Sequence, residues 1–243
     1  MKNVLTYISA CEPPAFDAES ERMVRVQIDN SLELGWKLED IVIAADFPFS
    51  YNGYKGVVIP REGMGFVHTR RSRGVNKVVT ILWLYEQGYL NDSVFFHDLD
   101  AFQNYPFFEC PDPQYHSFDL TVAQYGDSKT YNAGCMFFKA AARDIWQDLL
   151  RLCRQNGWDE ERALTVGYPP GKDPRVGMLD ISYNVGKYDT VKKWRGGIQP
   201  PRILHFHPNI RGNYAFYVQG RNEANQPLVC ERVGRLITKH FRS

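Results

Sequence analysis

The chain has 243 residues and a formal net charge of +1, with 44% hydrophobic and 14% aromatic residues. This size and composition suit one large α/β domain with a sizeable core and exclude a disordered chain. The charge balance excludes a global polyelectrolyte interaction with nucleic acid. Five cysteines, Cys11, Cys110, Cys135, Cys153 and Cys230, form no Cys-x-x-Cys unit, which points to free thiols in a reducing compartment. The apolar run at the start is too short for a signal peptide, and no run approaches a membrane span. The expectation is a soluble, cytoplasmic protein.

Val4 to Ile8 reads as a first buried parallel strand, followed by the loop Ser9–Pro14. Asp17 to Leu34 reads as a helix, with Met23, Val26 and Leu34 on one face and Gly35 at its stop. Ile41 to Asp46 is a second buried strand, so a right-handed parallel unit is expected. Residues 51–56 read as a turn, and Val57 to Pro60 as a short strand stopped by proline. Glycines at 63, 65 and 74 flank a basic segment that includes Arg70 and Arg73. A helix is expected over Val75–Gln87, with Val78, Val79 and Leu82 inside and Gly88 at its end. Val94 to His97 is the fourth strand.

Beyond it, Phe102 to Tyr115 reads as a loop rich in proline and aromatics. Leu120–Ala123 and Tyr131–Phe138 read as strands, Ala140–Arg154 as an amphipathic helix, and Arg202–Phe206 as a last strand. Strands alternating with helices favour a single doubly wound domain with a mostly parallel sheet. Residues 209–243 form a basic C-terminal extension, with Arg211, Arg221, Arg232, Arg235, Lys239 and Arg242.

The stretch with the most chemistry is Val94-Phe95-Phe96-His97-Asp98-Leu99-Asp100, an apolar strand running into two aspartates. Residues two apart on a strand share a face, so an extended backbone would aim both carboxylates at one point. Two clustered carboxylates repel unless a cation lies between them. Oxygen ligands of this kind suit Mg²⁺ or Mn²⁺ completed by water and substrate phosphates. Ligands of open α/β sheets bind at the carboxyl ends of the strands. Ser9, Asp46, Asp98 and Asp100 fall at such ends, and His205 lies in the last apolar run.

The order of these segments resembles a GT-A-fold glycosyltransferase. The matching pieces are Thr6-Tyr7-Ile8, Lys77, Phe96 to Asp100, Tyr131-Asn132-Ala133-Gly134-Cys135-Met136, Leu179 to Asn184, and Ile203-Leu204-His205-Phe206. The last three are similar to the glycogenin-like, galactosyltransferase-type branch (glycosyltransferase family 8). The resemblance implies a nucleotide-diphosphate sugar as donor and Mn²⁺ or Mg²⁺ held by Asp98, Asp100 and His205. It implies that Asp98 is shared with the donor ribose, and that Thr6, Tyr7 and Ile8 line the base pocket. Lys77, or Arg70 or Arg73, would reach the phosphates or sugar, and Asn132, Ala133 and Gly134 would border the sugar. Asp159, after the amphipathic helix, is the expected catalytic or sugar-contacting acid, with Glu160 beside it.

The segment His207–Gly212 departs from the branch's phosphate clamp, leaving Arg211 as a stand-in and His207 as a fallback metal ligand. Two other functions fit such a chain: a sugar-nucleotide nucleotidyltransferase, and a non-catalytic nucleotide-sugar-binding domain. The former normally shows a Gly-rich loop after the first strand, which Cys11-Glu12-Pro13-Pro14 is not. The acceptor is left open among glycan, protein and small molecule. The basic extension adds modified DNA as a minor alternative, through Arg232, Arg235 and Lys239.

Overall fold

The computed structural model describes residues 1–67, 73–125, 130–185, 201–206 and 229–241. In chain order the strands are β1 (Lys2–Tyr7), β2 (Ile41–Ala45), β3 (Ser50–Tyr51), β4 (Tyr54–Lys55), β5 (Val57–Val58), β6 (Val94–His97), β7 (Ala101–Gln103), β8 (Leu120–Gln124), β9 (Tyr131–Phe138), β10 (Val176–Leu179) and β11 (Ile203–His205). The helices are α1 (Ala18–Glu33), α2 (Arg73–Glu86), α3 (Arg143–Asn156), α4 (Glu160–Gly167) and, as α5, Glu231–Phe241. Every residue of β2, β6 and β9 is buried, as expected for strands covered on both faces.

Seven strands form the central sheet in the order β10-β8-β9-β6-β1-β2-β5. β1 runs parallel to β2 and β6, β2 to β5, and β8 to β10. The expected mostly parallel α/β architecture is therefore present. β9 is the exception, antiparallel to both β6 and β8. A short connection from β8 allows this, since antiparallel neighbours need no crossover helix.

Strand alternation sends Val4, Val42 and Phe96 to one face, where they pack with Val78 and Ile81 of α2 and with Ile145, Trp146 and Leu149 of α3. Leu5, Ile43 and Phe95 go to the other face, against Val24 and Ile28 of α1. Asp17 caps α1 by accepting from Glu19 N (3.0 Å) and Ser20 N (2.9 Å). The turn expected at 51–56 is a β3–β4 hairpin, with Asn52 and Gly53 at φ of 49° and 78°, as its two-residue loop requires.

Three elements are absent from the sequence-based expectation: β7, β10 and α4. A fourth, α5, occupies the segment expected as a basic extension. Its apolar side, Val233, Leu236 and Ile237, packs on Val26, Phe102 and Phe206. Its basic residues pair with groups across the α1 contact, Arg232 partly buried and Arg235 and Lys239 exposed. Arg232 donates to Asn30 Oδ1 (2.9 Å) and to the Asn104 carbonyl (2.7 Å). Lys239 pairs with buried Asp29 (2.8 Å), and Arg235 with Glu33. The three residues expected to contact DNA all pair with groups of the protein, and nothing among the described residues supports the DNA expectation. Arg211, Arg221 and Arg242 lie outside the described residues. All five cysteines are unpaired. Among the described residues no helix is long and apolar enough to cross a membrane.

Candidate metal and donor site

β6 ends at His97, and the chain turns at once, with Ala101 N donating to the Asp98 carbonyl (3.0 Å). The two aspartates therefore do not share a strand face, as the extended-backbone expectation had it. A turn brings them together, and it redirects the chain into β7. β7 pairs antiparallel with β11 rather than with the central sheet, in the register Ala101 opposite His205. Phe206 N donates to the Asp100 carbonyl (2.8 Å), so this small ladder sets His205 beside Asp100. One ligand atom from each of Asp98, Asp100 and His205 lies within 4.8 Å of the others.

His205 is fully buried, and its Nε2 is 3.1 Å from Asp100 Oδ1. Its Nδ1 faces Asn184 Oδ1 at 2.8 Å, while Asn184 Nδ2 donates to the Gln124 carbonyl (2.9 Å). The amide is thereby oriented as an acceptor, and Nδ1 carries the hydrogen. In the neutral ring Nε2 then directs a lone pair at a carboxylate. That contact calls for a positive charge, a proton or a metal ion. Burial alone would lower the basicity of the ring, but the Asp100 carboxylate raises its pKa above the usual histidine value. The donor set, two carboxylates and an imidazole oriented from behind, fits a divalent cation such as Mn²⁺. His97, by contrast, is pushed down to about 4 by burial, and faces Asn3 Oδ1 and the Asp98 carbonyl.

The segment Asn132–Gly134 owes its shape to a break in register. Val122 pairs with Met136, but Ala123 pairs with Asn132, so the intervening residues bulge from β8. Their backbone groups are freed for the site. Ala133 N donates to Glu161 Oε1 (3.0 Å), Gly134 N to Asn132 Oδ1 (3.0 Å), and the Gly134 carbonyl accepts from Asp98 N (2.9 Å). Gly134 is pressed against the imidazole: a Cβ there would lie 2.2 Å from His205 Cε1.

Lys77 reaches in from α2. Its ammonium contacts Asp98 Oδ1 (2.9 Å), Glu160 Oε1 (3.0 Å) and the Ala133 carbonyl (3.0 Å). Three partners match the three donors of an ammonium group. Burial opposes the charge, but Asp98 and Glu160 outweigh it and raise the lysine's pKa. Gly74 makes room for this arrangement, since a Cβ there would collide with Glu160 Oε2 at 1.3 Å. Burial, reinforced by Glu160 and opposed by Lys77, pushes the Glu161 carboxyl up to about 7.

No protein-family model matches the chain, and no curated protein matches it. Solved structures do. A glycosyltransferase involved in the glycosylation of the major capsid of PBCV-1 superposes with a TM-score of 0.54 at 13% identity, over 88% of this chain and 96% of that one. An active-site mutant of LgtC gives a TM-score of 0.57 at 12% identity, over 98% and 96% of the two chains. The galactosyltransferase LgtC in complex with donor and acceptor sugar analogs gives 0.51 at 11% identity, over 99% and 96%. The chain has the GT-A glycosyltransferase fold. The fold implied by the resemblance is borne out, and at these identities the likeness is one of fold.

Within the GT-A frame the other expected residues fall in different places. Thr6, Tyr7 and Ile8 lie at or just past the end of β1, half-buried, with the Tyr7 ring 4.8 Å from Phe16 and its hydroxyl donating to Asp17 Oδ2 (3.0 Å). The loop after β1 is folded onto Ser9, whose Oγ accepts from Cys11 N and Ala15 N (3.1 and 3.0 Å) and donates to the Ala15 carbonyl. The N–H groups of Ser9, Cys11 and Ala15 are all engaged within the protein. Asp159 is exposed and caps α4, accepting from Arg162 N (2.8 Å). It does not join the cluster; its neighbours Glu160 and Glu161 do. Arg73 opens α2, whereas Arg70, His207 and Arg211 lie outside the described residues. Sequence reasoning missed Asn184 and Glu161 as site residues. Asn184 ends a segment already noted for its resemblance, and Glu161 is the third of three successive acids.

Proposed function

We propose that this protein is a glycosyltransferase that moves a sugar from a nucleotide-diphosphate sugar to an acceptor hydroxyl, with Mn²⁺ held by Asp98, Asp100 and His205. The observation that carries this is the convergence of two carboxylates and an oriented imidazole at the strand ends of a GT-A fold. LgtC, of the same fold, is a galactosyltransferase solved with donor and acceptor sugar analogs, which favours the same substrate classes here. When bound, the cation supplies Lewis-acid neutralisation of the leaving diphosphate.

The chain's own residues divide the remaining work. Asp98 is held toward the cation site by Lys77, whose three donors are engaged, so Lys77 acts on the donor through Asp98. Asn132, Ala133 and Gly134 border the sugar, and the missing side chain at Gly134 leaves room for the His205 imidazole. Of the three acids 159–161, Asp159 is a helix cap and Glu160 is tied to Lys77. Glu161, near neutrality and hydrogen-bonded to Ala133, is the group suited to hold or pass a proton. We assign to it the role expected of Asp159.

A thermal-shift screen of nucleotide diphosphates and their sugars, with and without Mn²⁺, tests the donor, because a ligand bound to the folded state raises the melting temperature. The expected result is a Mn²⁺-dependent shift with at least one sugar nucleotide and Mn²⁺-dependent hydrolysis of that donor, both lost in Asp100→Ala. A protein unmoved by every sugar nucleotide in Mn²⁺ overturns the proposal.

A further inference from the structure

Beside the buried aliphatic residues Val24, Val26 and Ile28, the protein-facing side of α1 carries a polar strip, with Gln27, Asn30 and Ser31 all buried. The reason lies in β7. This strand pairs with β11 along one edge only. On its other edge the carbonyls of Ala101 and Gln103 have no strand neighbour, and the Leu99 carbonyl, in the turn before β7, points the same way. Gln27 Nε2 donates to both the Leu99 carbonyl (2.9 Å) and the Ala101 carbonyl (2.8 Å). Asn30 Nδ2 donates to the Gln103 carbonyl (3.1 Å). Side chains of a helix stand where the N–H groups of an adjacent strand would otherwise be.

Asp100 lies between the two carbonyls that Gln27 grips, and its own carbonyl is held from the opposite edge by Phe206 N. Three successive carbonyls, at 99, 100 and 101, are thus fixed. We infer that Gln27 is a positioning residue of the metal site: it fixes the backbone on both sides of Asp100 and so the aim of that carboxylate relative to His205. The inference rests on Asp98, Asp100 and His205 binding a divalent cation. Both amide hydrogens are used, and neither leucine nor a shorter amide could span the two acceptors.

The test uses Mn²⁺ alone as probe, on the full chain. The dissociation constant is measured from the electron paramagnetic resonance of the free ion, and the zero-field splitting from that of the bound ion. Gln27→Leu is expected to weaken Mn²⁺ at least tenfold and to alter the splitting. Leu149→Ala, a cavity-forming change in the core on the opposite face of the sheet, is expected to leave both unchanged. If Gln27→Leu does not fold, Gln27→Met, which keeps the length and lacks the amide donors, is judged by the same two readouts. A Gln27 variant with wild-type affinity and splitting, alongside an Asp100→Ala protein that no longer binds Mn²⁺, overturns the inference and leaves the metal site standing. A wild-type protein that binds no Mn²⁺ overturns the metal site itself.

Discussion

Gly134→Ala is a severe perturbation that adds only one methyl group. Gly134 has no left-handed φ, so alanine is conformationally admissible there and the cost is steric. The new Cβ would sit 2.2 Å from His205 Cε1 and 2.8 Å from both His205 Nδ1 and Asn132 Oδ1. Carbon atoms need ~3.5 Å, so the ring must retreat by more than 1 Å. Retreat is blocked, because His205 is fully buried and held by Asn184 on one nitrogen and Asp100 on the other. Overpacking of this kind costs ~1–3 kcal/mol, and loosening one of these polar contacts adds ~1 kcal/mol or more. For a chain of this size that corresponds to a melting point lower by ~5–12 °C. The assay is thermal unfolding of the metal-free protein, followed by Mn²⁺ titration. The displaced imidazole should weaken Mn²⁺ at least tenfold. A variant that melts like the wild type and binds Mn²⁺ equally well would refute the packing argument at this position.

Two further outcomes follow from the charges around the site. Lys77→Met removes a buried ammonium and leaves Asp98 and Glu160 facing each other across its place. The cost should be ~3–5 kcal/mol by urea unfolding, as for a broken buried ion pair; a loss under ~0.5 kcal/mol would mean a solvated helix lysine. Glu161, raised to about 7, keeps a proton in the folded state that the unfolded chain releases near 4.5. Its contribution to stability is therefore present at low pH and is lost as pH rises through that window. Glu161→Gln should gain ~1–3 kcal/mol relative to the wild type between pH 5 and pH 8. A pH-independent difference between the two proteins counts against a protonated Glu161 in the folded state.

Local patterns made much of the fold legible. Short, mainly apolar runs marked β1, β2, β6 and β9, because strands covered on both faces are rich in apolar residues. The Asp17 cap and Gly35 bounded α1, since a helix end needs a side-chain acceptor and then a residue that tolerates positive φ. Short or weakly patterned elements were not legible. β7 has three residues, α4 has eight, and the apolar face of α5 is hidden among basic residues that read as a charged extension. Those cations are neutralised by partners some 200 residues away in sequence, such as Asp29 and Glu33.

The residue types of the site were legible too. An aspartate pair after an apolar strand, a glycine-bearing turn and a histidine late in the chain are local features, and one-dimensional order was enough to align them with a GT-A pattern. Their relative placement was decided only by long-range pairing. A turn, not strand alternation, brings Asp98 and Asp100 together. The β7–β11 ladder, closing across a hundred residues, sets His205 beside Asp100. Helix docking selects among three adjacent acids, turning Asp159 to solvent as a cap while Glu160 and Glu161 face Lys77 and Ala133. Which way an acidic side chain points depends on what packs behind it, and that is a property of the assembled core.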